Sequence, residues 1–167
     1  MPQVHFVATR ELALKTARDK ILQAPDDASA IVSGHLVVEA LLYAFVRSWF
    51  PHRGALEAAN LRFHQTMCIA RALRRKLKRE EWLWATLDQL NRIRNRLSHD
   101  IHVQDFPVSL QQLYAAAGPH IDIHARGADS KKREDYKLKF FLLILCGVVH
   151  SLQREKTGNV SRNRYLM

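Results

Sequence analysis

Between Asp26 and Phe50 the chain is apolar nearly all the way round a helix. Ile31, Val32, Leu36, Val37, Leu41, Leu42, Phe45 and Val46 leave no broad polar face. Wound at about 100° per residue, such a segment has no side to offer water, so other elements must surround it. Asp26 or Asp27 can cap its start, and Pro51 stops it near Phe50. Glu39 lies among the apolar residues, which makes it a candidate for a buried or cleft charge.

The flanking segments can supply that surrounding layer. Residues 10–24 read as a helix capped by Thr9, with Glu11 in its first turn, and Pro25 ends it. Residues 54–77 read as a further helix, broken near Asn60. Residues 80–98 form another, with Glu80 and Glu81 at its positive end and Arg92, Arg94 and Arg96 at its negative end. A short helix over 108–117 ends at Gly118-Pro119, and a last helix spans 134–156. The one strand-like hint is the alternation His120-Ile121-Asp122-Ile123-His124. The expected class is therefore all-α, a four- to five-helix bundle. One domain covers residues 1–156, and residues 157–167 form a flexible tail. The apolar run over 140–149 is about half of what a membrane span needs, so it reads as a buried helix and no membrane association is expected.

Charge points to a partner. The net charge of +10 in 167 residues favours a polyanion such as nucleic acid. Cys68 and Cys146 lie in apolar helical patterns without CxxC spacing, and read as buried, reduced thiols of a cytoplasmic protein. The start, Met1-Pro2-Gln3-Val4-His5, has no basic then apolar run, so no signal peptide is expected.

The residue most at odds with its position is Arg94. With Leu90 at zero on a helical wheel, Leu83, Leu87, Ile93 and Leu97 fall within about 60°, and Arg94 lands about 40° away, inside the apolar stripe. A guanidinium there must be partnered, or must face a cleft or a subunit interface. His99 follows five positions later, at about 140° from Arg94 on an unbroken helix. Metal-free RNA cleavage needs a base for the ribose 2′-hydroxyl, an acid for the leaving oxygen and a cation for the phosphorane. Histidine suits the proton work and arginine the charge work, while Asn95 could orient a phosphate or the ring. One histidine is thin for both proton transfers, and a symmetric dimer would supply two. The plainer alternative is a helix C-terminus carrying favourable positive charge and a solvated histidine.

The segment Ile93-Arg94-Asn95-Arg96-Leu97-Ser98-His99-Asp100 resembles the signature of the HEPN superfamily, an Arg followed by a polar residue and then a His near the end of a bundle helix. The resemblance implies a dimerising helical bundle in which Arg94 and His99 of both subunits line a shared cleft. It implies metal-independent endoribonuclease activity, with no cofactor or metal, in toxin–antitoxin, phage-defence or RNA-processing settings. Arg94 and His99 would be catalytic with Asn95 beside them, and Glu39, Ser98 and Asp100 would support. RNA, a second copy and an antitoxin or regulatory protein are the implied partners. Two features depart from parts of the family. Where one toxin branch has a modifiable Tyr two residues after the His, this chain has Ile101. Residues 34–42 and 61–100 resemble a branch related to the mannitol-operon repressor, which implies the alternative of a non-catalytic regulator or scaffold.

The remaining constellations are weaker. Arg71, Arg74, Arg75, Lys78 and Arg79, with Arg96, could track a phosphate backbone, and Trp82 and Trp84 could stack bases or sit in the core. His120, Asp122 and His124, or His99 and His102, are of metal-binding type, but neither makes a full ligand set, and no metal is expected. His35 and His64 read as core or interface residues. A helical DNA-binding regulator would use the 71–79 surface, but no helix-turn-helix pattern accompanies it. No P-loop, GxGxxG or Ser-His-Asp order is present.

Overall fold

A computed structural model describes residues 15–16, 18–74, 80–99, 105–122 and 130–162, with side chains of the last helix described over 136–152. The described chain is all-α and contains no strand. After a short helical stretch over 18–22, the elements are α1 (Asp27–Arg47), α2 (Arg53–Ala58), α3 (Phe63–Ala72), α4 (Glu81–His99), α5 (Phe106–Ala117), a 3-10 turn (Gly118–His120) and α6 (Ser130–Arg162).

Helix α1 is the centre. Asp26 is its N-cap: the residue is extended, and its Oδ1 accepts from the Ser29 N–H at 2.7 Å. This bond holds the Asp26 carboxyl below its ordinary value. The helix ends at Arg47, earlier than expected. The Ser48 hydroxyl donates to the Phe45 carbonyl at 2.6 Å, and Phe50 precedes Pro51, which disfavours helical backbone there. Ala30, Ile31, Val38, Leu42, Phe45 and Val46 are buried as α1 packs against α3, α4 and α6. Among the described residues the surrounding layer is incomplete, because Val32 and Leu36 remain 39% and 54% exposed. By length and composition α1 could cross a membrane, although 44% of its most apolar window is buried against the other helices.

The expected break near Asn60 is present. Asn60 has φ 47°, in the left-handed region where asparagine is tolerated. It separates α2 from α3, whose first turn begins with the Arg62 N–H donating to Gln65 Oε1. An Arg47–Glu57 ion pair at 2.9 Å ties the end of α1 to α2. Helix α4 buries Leu83, Leu87, Leu90 and Ile93 of the stripe read from the sequence, leaves its Leu97 half-buried, and buries Trp84 as well. Gln89 donates to Gln112 at 2.9 Å and Arg96 to Ser109 at 3.1 Å, fastening α5 to it.

The strand hint at 120–124 is not realised over its described residues, 120–122. Gly118 (φ 53°) turns the chain out of α5, and His120 sits in the 3-10 turn with its ring stacked on Trp82 at 4.7 Å. Residues 123–124 lie outside the described residues. Helix α6 is longer than expected at both ends, starting at Ser130 and running through the expected tail as far as Arg162. Its buried face is Leu138, Phe141, Leu142, Leu145, Cys146, Val149 and Leu152. Lys139 donates to the carbonyls of Leu22 and Ala24 at 3.1 and 2.7 Å, where a cation suits the end of the 18–22 helical stretch.

Two glycines in these helices have opposite roles. A Cβ on Gly34 would lie 2.9 Å from Leu142 Cδ2, so glycine is what lets α1 approach α6. A Cβ on Gly147 would meet nothing within 4 Å. Gly34→Val is therefore expected to destabilise the fold by about 1–3 kcal/mol through overpacking. Gly147→Ala should stabilise it by about 0.5–1 kcal/mol through helix propensity. Urea denaturation followed by circular dichroism checks both signs.

Candidate functional site

The site is built on one polar ribbon of α4 where it passes α1. Taking Arg94 as zero, Ser98 and Asn91 fall about 40° and 60° round the helix, and Asn95 about 100°. Arg94 is half-buried, as its place in the stripe requires. Its Nη1 donates to Asn95 Oδ1 at 3.3 Å, and the Ser98 hydroxyl donates to the Arg94 carbonyl at 3.0 Å. These two bonds steady the guanidinium and the last turn of α4.

The facing group on α1 is His35. It is 2% exposed, its Nε2 lies 3.1 Å from Asn91 Oδ1, and its ring lies 4.3 Å from that of Phe63 on α3. Nδ1 is buried without a partner. That decides the tautomer: a proton on Nδ1 would be a buried, unsatisfied donor, so the proton sits on Nε2 and is donated to Asn91. Burial pushes the imidazole below its ordinary value, and the Arg94 charge pushes the same way. The Asn91 bond and the half-buried Glu39 oppose this without overcoming it. His35 is thus a neutral histidine beside a fixed cation and a carboxylate.

His99 is exposed, and α4 remains regular through it. Arg94 and His99 therefore stay about 140° apart, and one chain does not bring them together. Asp100 lies outside the described residues. His35 and Asn91 were not singled out as site residues from sequence. The available signal was that His35 and Glu39 stand four apart on α1, and Asn91 stands three before Arg94, so each pair shares a helix face.

The basic cluster is partly engaged by the chain itself. Arg71 donates to both oxygens of Glu81 at 2.8 Å, and Arg74 pairs with Glu80, so the two pairs bracket residues 75–79. Arg75, Lys78 and Arg79 lie outside the described residues. Trp84 is buried in the core, whereas Trp82 is half-buried against His120.

The two cysteines differ, contrary to the expectation that both are buried. Cys146 is buried and its thiol is pushed up to about 12, so it is no nucleophile. Cys68 is exposed, because the buried face of α3 is Phe63, Thr66, Met67 and Ala70. Its Sγ lies 3.8 Å from the ring of His64, which is exposed too, rather than in the core. Among the described residues, no three His, Cys, Asp or Glu side chains gather closely enough to hold a metal ion. His102 and His124 lie outside those residues. Comparison with protein families, with curated proteins and with solved structures finds no match for the chain.

The His35 environment sets a pH dependence. Its native affinity for a proton is below that of the unfolded chain, so the unfolded state binds more protons as pH falls below about 6.5. Stability contributed by neutral His35 is whole above that pH and is lost progressively below it. Urea midpoints between pH 7.5 and 5.5 should fall more steeply for the wild type than for His35→Asn, which carries no titratable ring.

Proposed function

We propose that this chain is a HEPN-like, metal-independent endoribonuclease that works as a homodimer. The observation that carries the proposal is Arg94: a half-buried arginine held in a polar ribbon of α4 by Asn95, beside a neutral histidine and a glutamate of α1. A guanidinium fixed by neighbours rather than paired with a carboxylate is suited to receive a phosphate.

In this mechanism Arg94 neutralises the phosphodiester. His99 takes the proton of the ribose 2′-hydroxyl as that oxygen attacks phosphorus. A second histidine, His99 of the other copy, protonates the departing 5′-oxygen. The products are a 2′,3′-cyclic phosphate and a 5′-hydroxyl. A second copy is required because Arg94 and His99 of one regular helix diverge. The exposed Val32 and Leu36 support the same assembly. They lie about 60° and 100° round α1 from His35, so apolar surface wanting cover borders the site.

One observation favours a second function, a HEPN-like regulator or scaffold that binds without turnover. His99 is exposed and apart from Arg94, so a dimer could use Arg94 for contact alone. Incubating the protein with mixed RNA in EDTA separates the two. The nuclease predicts cleavage by the wild type and loss of at least about a hundredfold in rate for His99→Ala and for Arg94→Ala, with the fold retained. Binding with no cleavage by any form would instead establish the regulator.

A further inference from the structure

Both amides of the α4 ribbon accept a hydrogen bond through their carbonyl oxygens, from different partners. Asn95 uses its carbonyl oxygen to accept from Arg94, which holds the guanidinium. Asn91 uses its oxygen to accept from His35, which leaves its NH2 group to donate elsewhere. Asn91 is half-buried, three residues and about 60° from Arg94, so both side chains border one strip of surface. From this arrangement we propose that Asn91 is a phosphate-binding residue. Its amide N–H group would bind a phosphodiester oxygen beside the Arg94 guanidinium, with the buried His35 holding the amide the right way round.

The NH2 group of Asn91 is not among the buried, unpartnered polar atoms, so it reaches the surface of the ribbon, where a ligand can meet it. Phosphate oxygens are acceptors only, so a donor amide next to a guanidinium matches them, and a carboxylate at the same place would not. His35 acts as a positioning residue. With its proton on Nε2 it can only donate to Asn91, and this excludes the flipped amide that would point oxygen toward the ligand. Groups facing His35 from α1, α3 and α4 are Glu39, Phe63 and Arg94. The positive charge of Arg94 helps to keep the ring in that neutral state.

The ligand class, the backbone of single-stranded RNA, rests on the proposed function, whereas the donor role of Asn91 does not require turnover. The test uses a short 2′-O-methyl RNA oligonucleotide, which lacks the attacking hydroxyl, with binding followed by fluorescence anisotropy. Asn91→Ala and Arg94→Ala are each expected to weaken binding by about tenfold or more. Asn91→Asp keeps an oxygen for the His35 N–H but turns the donor into a repelling anion. It should therefore fold and melt near the wild type, yet bind more weakly than Asn91→Ala. Wild-type binding by either Asn91 variant overturns the inference, as does a wild type that does not bind. Cleavage of unmodified RNA, measured in parallel, keeps the two proposals apart. Binding lost in Asn91→Asp with no cleavage by any form retains the phosphate site and removes the nuclease. Cleavage by the wild type with unaltered binding by the Asn91 variants does the reverse.

Discussion

The contact between α1 and α6 at Gly34 and Leu142 sets the spacing on which the remaining helices depend. Without a Cβ at residue 34, α1 lies directly on the buried face of α6, the longest described helix. That brings Ile31, Val38, Leu42 and Phe45 into one core with Phe141, Leu142 and Leu145. Helices α3 and α4 also pack on α1, and α5 joins through α4 and through Tyr114, whose ring meets that of Phe141 edge-on at 5.1 Å between centroids. Most of the stabilisation is apolar burial of this kind, since the Arg47–Glu57, Arg71–Glu81 and Asp88–Arg92 pairs lie at the surface, where such pairs contribute little, and among the described pairs Arg74–Glu80 alone is largely buried.

Within that apolar frame, the polar contact between α1 and α4 carries a cost. A buried imidazole with one nitrogen unpartnered is stabilised less than an apolar side chain of the same shape would be. Its neighbours are an amide, a carboxylate and a guanidinium, and similar costs fall elsewhere, at the buried, unpartnered Trp84 Nε1 and Arg47 Nε. Electrostatics here act by subtraction: burial and the arginine together keep a histidine uncharged, and its single donor then fixes the direction of an amide.

The high net charge is distributed with similar economy. Arg71, Arg74 and Arg92 are engaged by Glu81, Glu80 and Asp88, and Arg96 by the Ser109 hydroxyl. These arginines fasten helices or offset local charge. Arg94, like Arg96, has a neutral described partner, an amide oxygen rather than a carboxylate, so its full charge remains available.

Much of the architecture was legible in the residues alone. Proline, glycine and asparagine punctuation located the breaks at Pro25, Asn60 and Gly118, because backbone restrictions are local. Helical phase identified the buried stripe of α4 and the anomaly of Arg94, because the helix period is fixed by its hydrogen bonds. The alternation at 120–124 misled over its described residues 120–122, since two-residue periodicity in so short a run does not compete with a 3-10 turn and a ring stacked on Trp82. Cys68 misled because apolar composition does not say which face of α3 is turned inward. What only the tertiary structure decided is which residues share the site with Arg94. Asn91 and His35 stand 56 positions apart and meet at 3.1 Å only once α1 and α4 pack, whereas His99, close in sequence, is carried away by the turn of the helix. Sequence proximity along a helix sets angles, and packing between helices sets partners.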